Sequence, residues 1–168
     1  MPLDPITLTN KLLALDEGPV QLTDIPSTAK AWADAWWGYA SGMVYLNPAS
    51  LILSEQFATA AFMGVIMSGL GPDPFPGAPA TFIAALEGAM RAGWGSVSTP
   101  ASLIPPVVAI TPSPVPFIPL GMAIIPVGMA AQNKAAVRAM LAGIIHGWTI
   151  THITVSSIVP PGTLGPIL

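Results

Sequence analysis

Apolar residues recur at helical spacing over much of the chain, and proline or glycine cuts that pattern into segments. Asp4–Pro5 pairs an N-cap with proline in the first turn, and Ile6, Leu8, Leu12, Leu13 and Leu15 follow up to Gly18–Pro19. This predicts a helix over 5–15. A second helix is expected to start near Ser27 or Thr28 and run to about Val44. Trp32, Trp36 and Tyr39 share one of its faces, while Lys30 and Asp34 form an i,i+4 pair on the outer side. Asn47–Pro48 opens the next segment, and Ser54 is read as the cap of a helix to about Ser68. Phe57, Ala61, Gly64 and Val65 line one side of that helix and Phe62 and Ile66 another, so it is expected to be buried all round. Pro79 fits the first turn of a helix to about Trp94, with Phe82, Ile83, Leu86 and Met90 facing inward and Glu87 spaced to pair with Arg91. A last helix is predicted from about Ala130 to His146, on the apolar face Val137, Met140, Leu141 and Ile144. Lys134 and Arg138 are like charges one turn apart on it. Trp148 to Val159 is rich in Thr, Val and Ile and reads as a strand, ended by Pro160–Pro161–Gly162.

Between these helices the pattern breaks in two places. Gly71–Pro72–Asp73–Pro74–Phe75–Pro76–Gly77 is incompatible with regular structure and is the best internal boundary. Residues 96–128 carry prolines at a density that favours polyproline II and sheet-edge backbone, yet the residues between them are Val, Ile, Leu, Phe and Met. A polar tract of that kind would be a linker; a greasy one is expected to lie along another surface. The resulting expectation is a mainly α protein: a small helical core, a long proline-rich extended arm and a C-terminal β-strand segment. Along the chain this gives an N-terminal helical region (1–72), a linker and helix (73–95), the arm (96–128) and a C-terminal helix with strand and tail (129–168), together one structural unit. A short echo, Pro48–Ala49–Ser50–Leu51–Ile52 against Pro100–Ala101–Ser102–Leu103–Ile104, gives too few copies for a solenoid.

Charge changes the picture. Of 168 residues only 13 are Asp, Glu, Lys or Arg, against 20 prolines and 52% hydrophobic residues. Ordinary soluble domains are roughly 25% charged, so this chain is expected to hide surface in lipid or against other protein. The 42 residues between Arg91 and Lys134 carry no charge, which is long enough for a membrane span. Eight prolines from Pro100 to Pro126 fall inside that stretch. Each costs about 3 kcal/mol in a helix interior, and lipid offers no partners for extended backbone. Two windows, 35–54 and 56–72, remain for a bilayer: the first is interrupted by Asn47–Pro48 and the second ends at glycines short of a full span. With a net charge of −3 and no basic stripe, nucleic acid is not an expected partner. The N-terminus lacks the basic, then apolar, pattern of a secretory signal.

Candidate chemistry is sparse. Without cysteine there is no thiolate site, disulfide or cysteine nucleophile. His146 and His152 are the only histidines, and no carboxylate follows Arg138, so the local ligand count is below the three or four a metal needs. No G-x-S-x-G elbow is present, and Gly93–Trp94–Gly95–Ser96 lacks the lysine and preceding strand of a phosphate loop. Asp4, Asp16, Glu17, Asp24 and Asp34 crowd the first 34 residues and read as a solvated, helix-capping face. The five tryptophans and eight methionines suit core or interface packing. The reading is therefore no enzyme, no cofactor and no metal site.

The end of the chain carries a resemblance. The run from Leu141 to Leu168 has a helix ending in an aromatic, a Thr/Val/Ile stretch and the close Val159–Pro160–Pro161–Gly162–Thr163–Leu164–Gly165. A proline-rich segment precedes an Ala-rich last helix over Thr111 to Ala136. This is similar to the end of small structural (virion) proteins of tailed bacteriophages and of phage-tail-like contractile particles. The close here is Gly-Thr-Leu-Gly-Pro, less glycine-rich than that pattern. The resemblance covers about the last third of the chain and implies a structural subunit of a virion or assembled particle, cytoplasmic during assembly. Its partners would be other copies of itself and other structural proteins of the particle. Arm and strand residues expected at those contacts are Pro105, Pro106, Val108, Ile110, Phe117, Ile118, Leu120, Trp148, Ile150, Ile153, Val155 and Ile158. The competing reading is a membrane-inserted or membrane-active small protein that uses 35–54 and 56–72.

Overall fold

Two helices begin on the same local device. In the computed structural model, which describes residues 3–17, 24–43, 48–70, 79–97, 107–112, 134–159 and 161–166, Asp4 precedes α1 (Pro5–Glu17) and Asp24 precedes α2 (Ile25–Ala40). The Asp4 carboxylate accepts from the Ile6 and Thr7 N–H groups at 3.0 Å each and from the Thr7 hydroxyl at 2.8 Å. The Asp24 carboxylate accepts from the Ser27 N–H at 2.7 Å and the Ser27 hydroxyl at 2.9 Å. Each cap satisfies amide donors that the first helical turn leaves open. Proline follows in both first turns, where its missing N–H costs nothing. The second helix therefore starts at Ile25, ahead of the expected Ser27 or Thr28. It stops at Ala40, where the Ser41 N–H donates to the Trp37 carbonyl at 2.8 Å and the Gly42 N–H to the Tyr39 carbonyl at 3.1 Å.

Helix α3 spans Pro48–Leu70 and α4 spans Pro79–Ser96. Proline opens both, as the sequence pattern predicts. Ser54 is not a cap: α3 starts six residues earlier at Pro48 and runs through it without a break. The expectation that this helix is buried all round is also corrected. Ala58, Phe62 and Ile66 are buried, whereas Phe57 is 62% exposed and Ala60 and Gly64 face outward. Helix α5 spans Lys134–His152. The first five residues of the strand expected over Trp148–Val159 therefore belong to the helix instead. Thr149 and Thr151 are β-branched, but each hydroxyl donates to the carbonyl four residues back, at 2.7 Å in both cases. That bond satisfies the hydroxyl within the helix, so threonine does not end it.

The helices pack as α1 on α2 and α5, α2 on α3, and α3 on α4. One apolar core draws residues from all five, including Leu8, Leu12, Trp36, Phe62, Ile66, Met90, Trp94, Leu141 and Trp148. Each such large side chain contributes about 1.5–3 kcal/mol relative to an exposed one. At the centre, Trp36 stacks on Phe62 (centroids 5.1 Å, planes 21° apart) and meets Trp94 edge-on (5.4 Å, 83°). The face predicted from Trp32, Trp36 and Tyr39 is buried as a unit, and Trp37 is buried with it. The pairs Lys30–Asp34 and Glu87–Arg91 both form, the first exposed and the second largely shielded.

Three short strands complete the described backbone: β1 (Val107–Pro112), β2 (Ile153–Val159) and β3 (Pro161–Pro166). They pair antiparallel in the order β1-β2-β3, with Ile110 opposite Val155 and Ser157 opposite Gly162. The described part of the protein is mainly helical. The corner at 71–77 and most of the segment 96–128 lie outside the described residues.

Candidate functional site

A part-buried hydrogen bond joins α2 to α5. Tyr39 follows Trp36 by three residues and so points into the core from α2, where it is 1% exposed. His146 meets it from α5: the phenol oxygen lies 2.9 Å from His146 Nδ1, with the rings 80° apart. Burial pushes the Tyr39 phenol well above its usual range, against an opposing hydrogen-bond contribution from Thr149 and with Asp4 adding to the rise. The phenol is therefore protonated at any physiological pH. Thr149 is itself buried, and its hydroxyl donates to the Ile145 carbonyl. Asp4, the cap of α1, acts on Tyr39 through its charge alone. Its carboxyl is held below the usual value, first by the Thr7 hydroxyl and then by the Ile6 N–H, with a smaller contribution from the charge of His146.

A phenol from α2 and an imidazole from α5 thus meet directly. The Asp4 carboxylate is committed to three donors of its own helix, and the phenol is raised, not activated. What the arrangement does physically is tie α2 to α5 through a part-buried hydrogen bond, worth about 1 kcal/mol net. The partners are 107 residues apart in sequence, and no local pattern announces the pair.

A second cluster joins α4 to α5. Glu87 is buried, and its Oε1 accepts from Arg91 Nε at 2.8 Å and from an Arg91 terminal nitrogen at 2.7 Å. This holds the guanidinium over the Trp148 ring, 5.4 Å from its centroid. His152 stacks on the same indole, with planes 9° apart. Arg138 lies over the Trp32 ring at 5.5 Å, so the cation that the sequence leaves beside Lys134 has an aromatic partner on α2. Both histidines therefore have partners inside the chain. Among the described residues, no group of three or more His, Asp or Glu could hold a metal ion.

The residues expected at contacts with neighbours fall into three sets. Trp148 and Ile153 are buried in the chain's own core, 4% and 0% exposed, and Ile150 lies on α5 in an intermediate position. Val108 and Ile110 are on β1, and Val155 and Ile158 on β2. Pro105, Pro106, Phe117, Ile118 and Leu120 lie outside the described residues.

The outward surface shows what the sequence reading missed. On α5, Ala135, Ala139, Gly143 and Thr151 are exposed at four-residue steps, with Gly147 half-buried in the same row. A Cβ added at Gly143 or Gly147 would meet nothing within 4 Å. Phe57 and Ile6 add large exposed apolar groups, the latter 67% exposed. The helical spacing of small residues was visible in the sequence, but small residues are equally common inside, so spacing alone did not assign that face to the surface. Among the described residues, no helix is long and apolar enough to cross a membrane. No family model, curated protein or solved structure matches the chain.

Proposed function

We propose that this protein is a structural, non-catalytic subunit of a large protein assembly, a phage or phage-tail-like particle, whose partners are further copies of itself and other structural proteins. The observation that carries this reading is the charge-free outer row of α5, Ala135, Ala139, Gly143 and Thr151, in a chain with only 13 charged residues. A face of small residues lets another backbone approach closely, and a chain with so little charge gains by covering it. In this account the proline-rich segment on either side of β1, which itself pairs with the chain's own β2, is an arm lying on a neighbour, and β3, the outer strand of the β1-β2-β3 order, offers edge pairing as a second contact. Apolar arm surface contributes ~25 cal/mol per Å² on burial, and proline lowers the freedom lost when the arm docks. Because Trp148 and Ile153 serve the chain's own core, the contact residues narrow to Pro105, Pro106, Val108, Ile110, Phe117, Ile118, Leu120, Ile150, Val155 and Ile158.

The test is the double variant Phe117→Asp/Leu120→Asp. It should keep the far-ultraviolet circular dichroism of the parent chain and lose its higher-order species in sedimentation. An unchanged sedimentation profile would contradict the role given to the arm.

A further inference from the structure

We draw no further inference here: the strongest candidate, the outward face of α5 where Ala135, Ala139, Gly143 and Thr151 line up at four-residue steps, is a stripe of small residues already used in the proposed assembly, and nothing in the structure shows what covers it.

Discussion

Gly93 stands where Trp36 leaves no room for a side chain: a Cβ at that position would lie 2.5 Å from the indole Cη2. The indole cannot swing aside, because Phe62 stacks on it and Trp94 meets it edge-on. The absence of one methyl group on α4 thus lets the central aromatic cluster close against that helix.

Gly93→Ala should therefore destabilise the fold, although alanine is the better helix former. Overpacking of this kind costs about 1–3 kcal/mol, which outweighs the roughly 1 kcal/mol gained in helix propensity. Gly143→Ala is the matched control, since its added Cβ meets nothing within 4 Å on an exposed helix surface. It should raise stability by about 0.5–1 kcal/mol. Urea unfolding of the two variants reads both signs; equal effects would show that Trp36 can move.

Phe62 and Phe57 lie five residues apart on α3 and should behave oppositely on truncation. Phe62 is fully buried against Trp36, and Phe62→Ala should cost about 3–5 kcal/mol. Phe57 is 62% exposed, and Phe57→Ala should change the stability of the isolated chain by less than about 0.5 kcal/mol. Chemical denaturation checks both values. A large loss at Phe57 would mean that the residue is covered in solution.

Acid should weaken the fold through the two helix caps. The Asp4 and Asp24 carboxyls are both held below the usual carboxylate value, the first mainly by the Thr7 hydroxyl and the second mainly by the Ser27 N–H. Folding thus favours their ionised forms. That stability is fully present above the unfolded carboxylate pKa near 4 and is lost as pH falls through the lower folded values. Melting temperature measured from pH 6 to pH 2 should show the decline. In Asp4→Asn and Asp24→Asn, which keep a capping side chain without its titration, the decline should be shallower. Identical slopes in parent and variants would contradict this assignment.

Periodicity made much of the helical core legible. The Trp32, Trp36 and Tyr39 repeat, the Leu8 and Leu12 repeat and the paired charges Lys30–Asp34 and Glu87–Arg91 each use one local rule, and each is present in the fold. The start of α2 at Ile25 was also readable, since Asp24–Ile25–Pro26–Ser27 repeats the logic of Asp4–Pro5–Ile6–Thr7; the caps lie before the apolar run, where attention to periodicity passes over them. The orientation of α3 was hard to read, because its few polar residues, Glu55, Gln56, Thr59 and Ser68 among them, are scattered among apolar ones on every side, and the packing of Phe62 on Trp36 decides it. The end of α5 misled for a different reason. Thr149, Ile150 and Thr151 have strand propensity, and it is overridden by back-bonded hydroxyls and by Trp148 seated in the core. The joint between Tyr39 and His146 depends on tertiary folding alone.

The central claim, that the chain works by assembly, is tested most directly by its mass in solution. The measurement is size-exclusion chromatography with light scattering on full-length protein expressed without detergent. The account predicts a discrete oligomer, or recovery in soluble form only with a co-expressed structural partner. A stable monomer across concentration would contradict it, and recovery only in the membrane fraction would favour the bilayer reading in its place.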